Sequence, residues 1–174
     1  TIYPLVLIIV INIFYIIGIS MNQKFKKAII LAIGVVLIIS VIDILFARSG
    51  LFGTFQDYTN GNYTQGLWDV FFKINLMLIS ILPIAYYYLV KKDLSESVGL
   101  FLTSFILWFS GLADFFYFIF QGLPIPAELP WLTSIFIAKV AYFMTATVVT
   151  KQVLLVSIAC GFGISYLINI IMEK

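Results

Sequence analysis

The sequence predicts an all-α polytopic membrane protein: a bundle of six transmembrane helices forming a single domain over residues 1–174, with N- and C-termini both external. Three observations predict it. Only 10% of the chain is charged, against roughly 25% in a soluble domain, while 63% is hydrophobic. The mean hydropathy is +1.12. The apolar residues fall into six runs, about Ile2–Ile19, Ala28–Phe46, Leu67–Val90, Val98–Phe120, Trp131–Val149 and Val153–Ile171. Each approaches the roughly 20 residues that a helix needs to cross hydrocarbon, and none alternates as a barrel strand does.

The first run has neither a basic leading segment nor a small-residue cleavage site, so it is read as a retained span rather than a signal peptide. The chain begins at Thr1, so an initiator Met is expected to precede it. The second run follows the basic turn MNQKFKK. The third starts beside Trp68 and ends on Tyr86, Tyr87 and Tyr88, aromatic residues of the kind that sit at membrane interfaces. Pro83 is expected to kink it, because its ring removes one backbone hydrogen bond. The fourth run holds Asp114 deep within it. The fifth follows the turn LPIPAELP and begins at Trp131. In the sixth, Gly161 and Gly163 permit close helix contact. They form no nucleotide loop, since no strand precedes them and no phosphate-binding lysine follows.

Lysine placement orients the bundle. Lys24, Lys26, Lys27, Lys91, Lys92 and Lys151 fall in the first, third and fifth connections, read as cytoplasmic. Arg48 and Lys174 fall on the other side. The loop from Ala47 to Gly66 is then external, as a cap or as a surface loop.

Composition excludes several chemistries. The chain has one cysteine, Cys160, and no histidine. That removes internal disulfides, thiolate metal clusters, histidine–zinc and bis-histidine haem sites, and histidine-activated nucleophiles. No metal or cofactor motif is present. A net charge of +2 without a basic tail gives no reason to expect nucleic acid.

The remaining charges cluster by depth. Counted along each helix at 1.5 Å per residue, Asp114 and Lys139 lie about 10–12 Å below the external surface, and Asp43 and Lys73 about 7 Å. Asp69 and Glu128 sit near the rim. An intramembrane charge costs roughly 2.5–3.5 kcal/mol on insertion scales, and the short aspartate cannot snorkel as lysine does. Asp43 and Asp114 are therefore expected to face the bundle interior, a wet cavity or a lysine. Asp69 and Lys73 are spaced to pair along one helix face. Lys139 is the expected partner of Asp114 or Asp43, which would make a neutral set. Ser110, Tyr117, Asn75, Thr133 and Ser134 are candidates to line the same space.

Buried ion pairs that merely fix helix register would explain these charges, as would a functional pocket. The favoured reading is a pocket that binds a lipophilic or small amphipathic ligand and acts on it by acid–base chemistry. Asp43, Asp114 and Glu128 are its acids, and Lys139 tunes their charge. Asp69, Lys73, Tyr117 and Trp131 are its ligand-binding residues, with Phe115, Phe116, Phe118 and Phe120 as an aromatic lining. The turn LPIPAEL resembles the proline–glutamate turn of membrane lycopene cyclases, without their second adjacent acid. A solute or ion transporter, a channel, or a transporter binding component is the second reading. The third is a structural subunit that meets a partner membrane subunit or another copy of itself, among membrane lipids.

Overall fold

The computed structural model describes residues 23–48, 65–129, 131, 132 and 134–172. The first apolar run and the loop at 49–64, with the expectations attached to them, lie outside the described residues. Those described form α-helices α1 (Gln23–Arg48), α2 (Gln65–Tyr86), α3 (Leu94–Phe109), α4 (Leu112–Gln121), α5 (Ile135–Phe143) and α6 (Lys151–Met172). Between α2 and α3 the backbone widens into a π-helical turn, Tyr87–Lys91.

Among the described residues, three helical stretches are long and apolar enough to cross a membrane: Lys26–Leu45, Phe72–Val90 and Lys151–Met172. A fourth qualifies if α3 and α4 are taken together across their 63° bend.

α1 buries Ile29, Ala32, Val36 and Ile39. These recur at alternating spacings of three and four, the stripe that a helix lays against a neighbour. Asp43 is the next position of that stripe. α2 continues through Pro83. α3 is capped by Asp93, whose carboxylate accepts from the Glu96 backbone N–H at 3.1 Å, satisfying one of the donors that every helix start leaves open.

The fourth run is not one helix. It breaks at Ser110–Gly111, where Gly111 has φ +90°. A side chain at Gly111 would meet Leu154 and Ile137, so only glycine fits both the left-handed backbone and the packing.

The fifth run also departs from expectation. It holds only nine helical residues, about 14 Å of helix, less than half the roughly 30 Å hydrocarbon thickness. Pro124 and Pro126 keep the chain before it out of helix. After it come Thr145, Thr147, Val148, Val149 and Thr150, β-branched residues that favour extended backbone. The two flanks pair with each other: the Leu129 N–H donates to the Val149 carbonyl at 2.8 Å, and the Lys151 N–H to the Ala127 carbonyl at 3.4 Å.

Helix directions follow from end contacts. Lys27 Nζ lies 5.5 Å from the Tyr86 ring, the Tyr86 hydroxyl donates to Glu96 at 3.1 Å, and Ser95 Oγ donates to the Met172 carbonyl at 2.8 Å. The starts of α1 and α3 and the ends of α2 and α6 therefore share one end of the molecule, with Lys26, Lys27 and Lys92. Lys151 begins α6, a helix of 22 residues, and so lies about 33 Å away at the opposite end. This corrects the expectation that Lys151 shares a side with Lys91 and Lys92. It arises because the two flanks of the 122–150 segment pair with each other, so α6 starts at the end where α4 stops.

The antiparallel α3–α6 pair is knitted by polar and small residues. Asn169 Nδ2 donates to Thr103 Oγ1 at 2.9 Å and to the Ser165 carbonyl at 2.8 Å. Gly161 lies against Ser110 so closely that a side chain would not fit.

Candidate functional site

At the end opposite Lys26, Lys27 and Lys92, a cavity of about 310 Å³ is lined by Asp43 of α1, Phe72 and Asn75 of α2, Trp108 and Phe109 of α3, and Asp114 of α4, with Trp131 and Ser134 from the following segment. The break at Gly111 explains why Asp114 is there. It starts a new helix within the bundle, and Asp114 falls in that helix's first turn, where free backbone N–H groups favour a negative charge. The Trp131 indole lies against the Asp114 carboxylate and favours its negative charge.

Asp43 arrives from the other side. Ser40, one turn earlier, donates to the Ala113 carbonyl at 3.1 Å, which fixes α1 against the start of α4. Asp43 Oδ1 is enclosed and has no hydrogen-bond partner among the described residues. The Asp43 and Asp114 carboxylates are close enough for their charges to repel. Asn75 is 1% exposed. It lies beside Asp43 and interacts with that carboxylate as a donor, in a contact too loose for good hydrogen-bond geometry, and its amide oxygen has no partner among the described residues. Buried polar groups are nearly always paired, and an unmade bond costs about 1–3 kcal/mol. Asp43 Oδ1 and the Asn75 amide, on two neighbouring residues, are exceptions to that rule at the cavity.

Ser134 closes the floor. Its hydroxyl donates to the Phe109 carbonyl at 3.0 Å and accepts from the Ile137 N–H at 3.2 Å, so it caps both the end of α3 and the start of α5. The wall is aromatic: the Phe72 and Trp108 rings lie 5.2 Å apart, and Trp108 meets Phe109 edge-on at 5.1 Å.

Of the residues singled out in the sequence, Asp43, Asp114 and Trp131 meet at the cavity, as do Asn75 and Ser134. Lys73 and Lys139 are exposed, and among the described residues no ion pair joins either to Asp43 or Asp114. Each sits two residues from a buried one, Asn75 and Ile137 respectively, and so about 200° round its helix. The expected neutral set of two acids and two lysines is not formed. Glu128 is exposed and sits in a bridge with Thr150. Tyr117 packs on Phe118 and the core, away from the cavity lining. Asp69 is placed by its backbone on α2, and its side chain and that of Thr133 lie outside the description.

The aromatic wall differs from the expected Phe115, Phe116, Phe118 and Phe120, of which Phe118 is core and Phe120 exposed. Phe72, Trp108 and Phe109 went unassigned in the sequence. Their signal is helical spacing: Trp108 follows Ser104, itself buried, by one turn, and Phe72 stands three residues before Asn75.

Set against protein families, curated proteins and solved structures, the chain matches none of them.

Proposed function

We propose that this chain is an integral membrane protein whose cavity binds a membrane-soluble substrate and acts on it by acid–base chemistry, with Asp43 and Asp114 as the reacting carboxylates. One observation carries this reading: two carboxylates from different helices line one aromatic-walled cavity, with no cation from the described residues between them. Two like charges in a confined site share a proton more readily than both ionise, which is how paired carboxylates divide into an acid and a base. Such a pair gives a proton at one substrate atom and takes one from another, so a double bond moves or a ring closes without net proton exchange. Trp131, set against Asp114, orients that carboxylate.

In this proposal α1, α2, the bent α3–α4 pair and α6 cross the membrane, and residues 2–19 add a further span. The 122–150 segment dips in from the acid-bearing side and returns to it. Lys24, Lys26, Lys27, Lys91, Lys92 and Lys174 then lie together on the cytoplasmic side, in keeping with the positive-inside rule. The N-terminus is external and the C-terminus cytoplasmic.

The test is conversion. Purified protein in lipid nanodiscs is incubated with a membrane lipid extract, and the extract is followed by mass spectrometry. Time-dependent loss of an extractable species is expected, abolished in Asp114→Asn with thermal unfolding unchanged. Full conversion by that variant, or no conversion by the native protein, overturns the proposal.

A further inference from the structure

The geometry points to a substrate that carries a compact, weakly hydrated cationic centre of the ammonium type, held between the Asp43 and Asp114 carboxylates and the Phe72–Trp108–Phe109 wall. This rests on the acid–base reading of the same cavity and names the class of molecule that fits it.

Charge is the first ground. Among the described residues the cavity lining contains two carboxylates and no basic side chain, and Lys73 and Lys139 face outward. An enclosed anionic site is costly unless it is paired, so its natural occupant is positive. A phosphate or carboxylate headgroup is excluded by repulsion.

The second ground is the lining. Phe72, Trp108, Phe109 and Trp131 all border the cavity, and the first three form one cluster, with Phe72 also 6.2 Å from Phe109. Aromatic faces attract a cation that sheds its water easily, and indole does so best. Alkylammonium groups meet that description; a small hydrated metal ion does not. Among the described residues no group of three or more acidic or thiol side chains converges as a metal site would require.

Asn75 supplies the third ground and is independent of charge. It is 1% exposed, borders the cavity, and leaves its amide oxygen without a partner among the described residues while its nitrogen makes only a loose contact with Asp43. A ligand with a hydroxyl or amide N–H next to its cationic centre would satisfy that oxygen. The volume, about 310 Å³, suits a headgroup of that size at the lower end of ligand pockets. Phe72 and Ile135 border the cavity and are exposed, so it reaches the protein surface between α2 and α5, where an attached apolar chain can leave it.

The test compares choline with its neutral carbon isostere, 3,3-dimethylbutan-1-ol, on purified protein in nanodiscs. Calorimetry and the fluorescence of the cavity tryptophans report binding. Choline is expected to bind saturably and at least about tenfold tighter than the isostere, with hexyltrimethylammonium tighter still. Asp43→Asn and Asp114→Asn are each expected to lose at least about tenfold in choline affinity while the isostere is unaffected. Equal affinity for choline and isostere in the native protein overturns the inference without needing any variant to fold. Competition by sodium or potassium chloride at the same concentration as choline also overturns it, in favour of an inorganic cation. The readout is binding, so it is separable from conversion: loss of conversion in Asp114→Asn with no choline preference leaves the acid–base reading standing and removes this one.

Discussion

Ser40 Oγ lies 3.1 Å from the carbonyl oxygen of Ala113. The same hydroxyl is 2.9 Å from the Val36 carbonyl of its own helix, so one proton is shared between a local acceptor and a distant one. The distant one matters more. Asp43 stands one turn after Ser40, and Asp114 directly follows Ala113, so this contact sets the register that brings the two carboxylates to one cavity.

Ser40→Ala is expected to cost about 0.5–1.5 kcal/mol, the net worth of an ordinary hydrogen bond. Val36 keeps its helical bond, so the loss reports the α1–α4 contact. Thermal unfolding in detergent checks the stability, and choline affinity is expected to fall with it. Unchanged stability and affinity would show that the register is set elsewhere.

Asn75→Leu separates function from folding. The native amide is buried with one unpartnered oxygen and only a loose contact to Asp43 among the described residues, so an apolar side chain of similar size removes a desolvation cost. Stability is expected to hold or rise by about 1 kcal/mol, while conversion and ammonium binding fall. A clear loss of stability would mean that Asn75 serves the fold.

Gly111→Ala attacks the bend. A Cβ there is disfavoured by the +90° φ and meets Leu154 and Ile137. The backbone cost is about 1 kcal/mol, and overpacking adds about 1–3 kcal/mol. A lower unfolding temperature and loss of activity are both expected.

Thr103→Val tests the α3–α6 seam away from the cavity. It removes the bond from Asn169 but leaves Asn169 its bond to the Ser165 carbonyl. Stability is expected to drop by about 0.6–1.7 kcal/mol, as for hydrogen bonds between membrane helices, with conversion unchanged.

Sidedness is checked by cysteine labelling. Cys160 is exposed, so it is first replaced by serine. Lys92→Cys and Lys151→Cys are then treated with a membrane-impermeant thiol reagent on intact cells. Labelling of Lys151→Cys but not Lys92→Cys is expected; labelling of both, or of Lys92→Cys alone, contradicts the proposed topology.

The sequence alone carries the helical class, because long apolar runs with few charges have no other economical conformation. Asp114 and Asp43 are legible as acids in apolar surroundings. Asp43 also continues the three-and-four spacing of Ile29, Ala32, Val36 and Ile39, so its face is readable. Two things needed the tertiary structure. Depth counted along a run assumes a continuous helix, and both the fourth and fifth runs are interrupted, at Gly111 and around Ile135–Phe143. Depth also says nothing about rotation: Lys73 and Lys139 match the acids in level but face away, because Asn75 and Ile137 take the buried side of each helix. Composition along one chain fixes which groups are costly to bury. Only packing between helices decides which of them meet, since that depends on the relative rotation and register of segments far apart in sequence.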